Sequence, residues 1–239
     1  MSLLFWAGHI DDRISLFANS FMHRWPVFDK VVERLLDAAQ LKFGVTMALL
    51  CWLWFRPVER SREDRALIVS AVLSGFVGFF VGRLLALTLP FRTRPLARTE
   101  LDFSLPLGFE PAIRSWSAFP SDHATMAFAL AFGIFRISRP LGWFALVHAV
   151  LIICLPRLYM GLHHFSDLAF GALIGAGTFV VIESSSFGKR IVAAALAVEA
   201  RSPAAFYTAA FVLSYNIVGM FGDVRFAVAL FLRLLRGEV

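Results

Sequence analysis

ALIVSAVLSGFVGFFVGRLLALTLP, residues 66–90, decides the fold class. Its only charged residue is Arg83, and it closes on Pro90. A helix needs about 20 predominantly apolar residues to cross the hydrocarbon core of a bilayer, and this run supplies them. Outward from it lie further apolar runs at 41–55, 124–135, 141–156 and 168–182, with a weaker one at 204–221. Several are short by count and lengthen when flanking small and polar residues are included. Residues 1–37, 186–200 and 223–236 (with Arg225, Arg233 and Arg236) look amphipathic and are expected to lie along the membrane interface. The expected fold is all-α, a polytopic membrane helical bundle of about six transmembrane helices with interfacial amphipathic helices. It divides into an N-terminal amphipathic segment (1–40), a transmembrane core (41–183) and a C-terminal amphipathic segment carrying a candidate last span (184–239).

Composition agrees. Of 239 residues, 59% are hydrophobic and 17% charged, with 26 Phe and 6 Trp. Average soluble domains hold about 45–50% apolar and about 25% charged residues. An ordinary cytosolic globule, a disordered chain and a disulfide scaffold are excluded. The net charge of +6 comes mostly from Arg in short clusters between apolar runs. That is the pattern of loops flanking membrane spans, not of a nucleic-acid-binding face. Cys51 and Cys154 fall inside apolar runs and read as small core hydrophobes. The first residues lack a basic lead and soon meet His9, Asp11 and Asp12, so no cleaved signal is expected. The tryptophans mostly lie near span ends, as interfacial anchors do.

Orientation follows from Arg and Lys. Connection 56–65 carries Arg56, Arg60, Arg62 and Arg65; 136–140 carries Arg136 and Arg139; 183–190 carries Lys189 and Arg190. Five alternating spans put these three on one side, which the positive-inside rule makes cytoplasmic. Connections 91–120 and 157–167 then share the opposite side.

The chemistry-bearing residues cluster on those two connections: Arg92-Thr93-Arg94-Pro95, then Ser121, Asp122 and His123 after Pro120, then Arg157, His163 and Asp167. His163 and Asp167 are four apart and share a helical face. A carboxylate against a histidine fixes its tautomer and raises its basicity. Arg92, Arg94 and Arg157 offer planar forks that match phosphoryl oxygens. Ser121 can add a hydrogen bond, and a helix N-terminus at 121–123 favours an anion. Two histidines supply a nucleophile and a general acid.

At these residues the chain resembles the type 2 phosphatidic acid phosphatase superfamily. The family pattern is a Lys followed seven residues later by Arg-Pro, then Pro-Ser-Gly-His, then Ser-Arg-x5-His-x3-Asp. Here it reads Arg94-Pro95, Pro120-Ser121-Asp122-His123, and Pro156-Arg157 with His163 and Asp167 at the family spacing. The resemblance implies that His163 takes the phosphoryl group as a phosphohistidine and that Asp167 orients it. His123 then protonates the leaving oxygen and later activates water, while Arg94, Arg157 and Ser121 hold the phosphate. It implies no metal and no cofactor. It also implies a membrane lipid phosphate or diphosphate as substrate, most like undecaprenyl diphosphate, at the extracytoplasmic face of a bacterial inner membrane. Phosphatidylglycerol phosphate, phosphatidate and lipid A are related headgroups. No nucleic-acid partner is expected, and the sequence leaves the oligomeric state open.

Three positions depart from the pattern. The family Lys falls on Leu87. Arg92 is the favoured replacement and Arg83 the rival, since a helical side chain at 83 leans away from the loop. The family Ser is Pro156. The family Gly is Asp122, whose carboxylate repels phosphate unless it points away or pairs with an arginine. Blander readings stand beside these. Arg83 can cap or snorkel, and His148 reads as a helix–helix hydrogen-bond partner. His164 points about 100° from His163 on a helix and is as readily exposed as supporting. Arg98 and Arg114 attract headgroups or merely solvate the loop. Zinc on His123, His163, His164 and Asp167 is disfavoured by three nearby guanidiniums. A phosphotransferase with the same phosphohistidine and a non-catalytic lipid-phosphate binder or transport component are the competing functions.

Overall fold

The computed structural model describes residues 3–57, 59–106, 109, 116–222, 226–227, 230–231 and 234. Among them all regular structure is helical: α1 (Leu3–Asn19), α2 (Pro26–Asp37), α3 (Gln40–Phe55), α4 (Ser61–Thr88), α5 (Asp122–Ile137), α6 (Arg139–Tyr159), α7 (Phe165–Ser184), α8 (Ser186–Arg201) and α9 (Pro203–Val218). Two 3-10 turns, Pro95–Ala97 and Thr99–Leu101, interrupt the loop after α4. Arg114, Arg225, Arg233 and Arg236 lie outside the described residues.

Local sequence accounts for the boundaries that matter to the site. Ser121 caps α5: its side chain accepts a hydrogen bond from the Ala124 N–H, and Asp122 puts an acidic residue in the first turn, where the helix dipole favours it. Pro156 has no N–H to give an α-helical bond, and the residues before it, Ala149–Cys154, widen into π-helical turns that carry α6 past it. Gly161 takes φ +62° to turn the chain from α6 toward α7, and a Cβ there would lie 2.6 Å from the Phe103 ring.

The core sits around α5. Ala124, Met126, Leu130 and Ile134 are fully buried and face α3, α4, α6 and α7. Small residues allow this close packing. A Cβ at Gly175 would lie 2.2 Å from the Thr125 carbonyl oxygen, and one at Gly171 would lie 2.6 Å from the Ser121 oxygen. Gly171 and Gly175, four apart on α7, thus let two backbones touch. α5 and α7 run parallel. Ser121 N–H donates to the Asp167 carbonyl at 3.1 Å at one end, and Arg136 pairs with Glu183 at 2.6 Å at the other. α4 runs antiparallel to α5, with Gly82 facing Asp122 and Ala71 facing Gly133. All three sequence motifs therefore arrive at one end. Arg56, Pro57, Glu59, Arg60, Asp64 and Arg136 line a cleft at the other.

The expected count of six spans is not confirmed among the described residues. Among them three helices are long and apolar enough to cross a membrane: Ser61–Thr88, Arg139–Tyr159 and Phe165–Ser184. The pair α2 and α3, bent by 71°, adds a fourth if it is one broken span. α5 and α9 have 16 residues each, about 24 Å at 1.5 Å per residue. α5 can be that short because protein, not lipid, surrounds it. His148 meets the expectation of a helix–helix partner: its Nε2 lies 2.8 Å from the Leu41 carbonyl on α3.

Candidate active site

The site forms where the loop after α4 meets the starts of α5 and α7. Backbone bonds join these segments: Ala118 N–H donates to the Arg92 carbonyl at 2.8 Å, and Leu96 N–H to the Gly161 carbonyl at 3.0 Å. His163 stands between them, 7% exposed. Its Nδ1 is 2.8 Å from the Ala118 carbonyl oxygen. A carbonyl only accepts, so Nδ1 carries the proton and Nε2 keeps its lone pair. That Nε2 faces Arg94 Nη1 at 3.4 Å.

Asp167 is fully buried. Its Oδ2 accepts the His164 backbone N–H at 2.8 Å and lies 3.7 Å from His163 Nδ1. The latter is too long for a hydrogen bond; the carboxylate acts on His163 through charge, and the Ala118 carbonyl holds the ring. Burial, the largest cause, lowers the His163 pKa from the ordinary histidine value; Asp167 pulls it up, Arg94 and Arg157 push it down, and the net shift is downward. The imidazole is therefore neutral near pH 7, as a nucleophile requires. His164 is also shifted down, first by burial and then by Arg92. It is 2% exposed, with Nε2 3.2 Å from the Thr93 carbonyl and Nδ1 3.9 Å from Asp12. It is a packed residue, not an exposed one.

The four arginines divide into two pairs. Arg94 and Arg157 are at least nine-tenths buried. Arg94 Nη1 donates to the Leu162 carbonyl, and its Nε has no hydrogen-bond partner among the described residues. Arg157 Nη1 donates to the Ile153 carbonyl at 2.8 Å. Neither pairs with a carboxylate among the described residues. Arg92 and Arg83 are paired. Arg92 Nη1 donates to Asp167 at 2.5 Å and to Ser166 Oγ at 2.7 Å, and its Nη2 donates to Asp11 at 2.6 Å. Arg83 reaches Asp122 with Nε at 3.1 Å and Nη2 at 2.6 Å, and lies over the Trp116 ring at 5.1 Å. The expected lean of Arg83 away from the loop is thus not what the side chain does: the Asp122 carboxylate draws it to the start of α5. The same pair answers the question of Asp122, whose charge is taken up by Arg83.

Ser121 is fully buried, and its hydroxyl hydrogen can still be donated into the site. His123 lies in the first turn of α5 with its ring 6.0 Å from Phe43. The structure thus brings His163, Asp167, Arg94, Arg92 and Ser121 into one bonded cluster, with Arg83 beside it through Asp122. Sequence reasoning missed Asp11 and Ser166. Ser166 N–H and Oγ both donate to Asp11, at 2.9 and 2.5 Å. An acidic pair, Asp11-Asp12, inside an apolar N-terminal helix was the available signal.

The model of the PAP2 superfamily matches residues 65–190, and the chain belongs to that superfamily. Within it, the chain is similar to two curated proteins. One is "Undecaprenyl-diphosphatase BcrC" of Bacillus subtilis (strain 168), 25% identical over 158 residues, covering 66% of this chain and 74% of the relative. The other is "Bacitracin transport permease protein BcrC" of Bacillus licheniformis, 28% identical over 163 residues, covering 66% and 72%. No solved structure matches at a significant level.

Proposed function

We propose that this membrane protein is a lipid phosphatase that hydrolyses a lipid phosphate or diphosphate, with undecaprenyl diphosphate the leading substrate, through a phosphohistidine on His163. The observation that carries the reading is the arrangement around Nε2. A neutral, buried imidazole presents its Nε2 lone pair toward the buried Arg94 guanidinium, and neither Arg94 nor the buried Arg157 pairs with a carboxylate among the described residues. Buried cations are retained only where an opposite charge compensates them. A phosphoryl group supplies that charge, and it would arrive in line with the nucleophile.

The reaction balances without an added reagent. His163 Nε2 attacks phosphorus while the bond from phosphorus to the lipid-side oxygen breaks, and His123 gives that oxygen a proton. Water then attacks the phosphohistidine and His123 takes its proton. The phosphorus–nitrogen bond breaks, releasing phosphate. Arg94, Arg157, Ser121 and the amides at the start of α5 hold the three equatorial oxygens, the main demand of phosphoryl transfer. Arg83 takes the place of the cation missing at Leu87. Arg92, held by two carboxylates, orients Asp167 and does not reach the phosphate. The distribution of Arg and Lys supports an extracytoplasmic site.

Inorganic phosphate release by the purified protein in excess EDTA tests the reading. The panel is undecaprenyl diphosphate, phosphatidylglycerol phosphate, phosphatidate and a phosphorylated lipid A. Release from one of them that disappears in His163→Ala is the expected result. Tight binding of these lipids without release contradicts it and favours a binding or transport role.

A further inference from the structure

Helix α1 lies outside the residues matched to the superfamily and outside every motif, yet it places a carboxylate against the site. Asp11 is 3% exposed. Its Oδ1 accepts Ser166 N–H at 2.9 Å; its Oδ2 accepts Ser166 Oγ at 2.5 Å and Arg92 Nη2 at 2.6 Å. The other Arg92 nitrogen holds Asp167 Oδ1 at 2.5 Å. The second oxygen of Asp167 is the one that faces His163. A chain of charge-assisted hydrogen bonds therefore runs from α1 to Asp167, whose second oxygen lies 3.7 Å from the nucleophile's ring. Arg92 bridges two carboxylates, so neither can move without the other. Groups of this kind behind a reacting histidine set its orientation and basicity.

We propose that Asp11 is a positioning residue: through Arg92 and Ser166 it fixes the Asp167 carboxylate, and with it the charge that acts on His163, which makes the N-terminal helix part of the catalytic apparatus. The proposal rests on the reading of His163 as nucleophile. A simpler role, docking α1 to the bundle, is separable. Asp12 also docks α1, by its 2.5 Å pair with Arg98, and Asn19 does so through the Ser104 backbone at 2.8 and 2.9 Å. Among the described contacts Asp12 touches neither Arg92 nor Ser166 nor Asp167.

The test is steady-state hydrolysis of the best lipid by the full chain and by Asp11→Asn, Asp12→Asn, Arg92→Gln, the Asp11→Asn/Arg92→Gln double variant and His163→Ala. Asp11→Asn should lower kcat by about 10-fold or more, the scale of lost outer-shell partners at comparable sites, with KM near the wild-type value. Asp12→Asn should keep the wild-type kcat. The double variant should lose no more than the worse single one, because both break the same chain. Equal loss in Asp11→Asn and Asp12→Asn, a change confined to KM, or multiplied losses in the double variant would overturn the proposal. If Asp11→Asn does not fold, Ser166→Ala replaces it: a reduced kcat supports the proposal and an unchanged one refutes it. Full activity in His163→Ala is a separate failure; it removes the nucleophile reading and this inference with it.

Discussion

His163 concentrates the chemistry because its two nitrogens have different surroundings. Nδ1 meets a carbonyl at 2.8 Å and Nε2 meets a guanidinium at 3.4 Å. With its pKa held below the ordinary histidine value, Nε2 loses its lone pair only in acid. The acid limb of kcat/KM should therefore fall below about pH 6.5, the unperturbed value; a limb well above it would mean that Asp167 dominates instead. Among the described residues Arg94 and Arg157 form no ion pair with a carboxylate. Replacing either with Ala should cost about 100-fold in kcat/KM, the scale seen when one charge-stabilising donor is removed. Arg83→Ala and Arg92→Gln should separate in Michaelis kinetics. The first should raise KM, because it loosens the phosphate pocket, and the second should lower kcat. The reverse pattern would return Arg92 to the phosphate. The sequence singled out His163, Asp167, Arg94, Arg157 and Ser121 by motif and spacing. It could not divide the arginines, since pairing to Asp11, Asp122 or nothing depends on contacts across 39 to 81 positions.

Helix packing turns those residues into a site. α5 and α7 touch through Gly171 and Gly175, and this contact sets Ser121 against the Asp167 backbone. Gly175→Val should destabilise the protein by about 1–3 kcal/mol through overpacking, read as a lower melting temperature in detergent. Because a Cβ there meets backbone and not a movable side chain, Gly175→Ala should also be felt. A wild-type melting temperature in both would mean that the two helices are less tightly held than described. The small residues of 71–82 and 124–133 were visible in the sequence as part of apolar runs. Which of them face each other was not, because an all-apolar helix has no polar face to mark its buried side. α1 was harder still: its amphipathic pattern suggested an interfacial helix, and the acidic pair Asp11-Asp12, its one local signal, did not say that Asp11 looks inward at residues 92 and 166.

For the molecule as a whole, composition and the 66–90 run were sufficient for an all-helical membrane protein. The span count was not legible, since helices enclosed by protein need not match the bilayer thickness. Among the described residues three helices meet the length and hydropathy for crossing, or four with the bent pair. The motifs gather at one end and the cleft lined by Arg56, Arg60 and Arg136 at the other. If the positive-inside rule holds here, the two ends face opposite aqueous phases. Single cysteines at Glu100→Cys and Glu59→Cys, in a Cys51→Ser/Cys154→Ser background, test this in intact cells. A membrane-impermeant maleimide should label position 100 and spare position 59; the opposite labelling would turn the site to the cytoplasm. The central claim concerns the reaction itself. Its most direct test is inorganic phosphate released from undecaprenyl diphosphate by the detergent-purified protein in excess EDTA, wild type against His163→Ala. The account predicts release that the substitution abolishes; release that survives it, or that EDTA stops in the wild type, would contradict it.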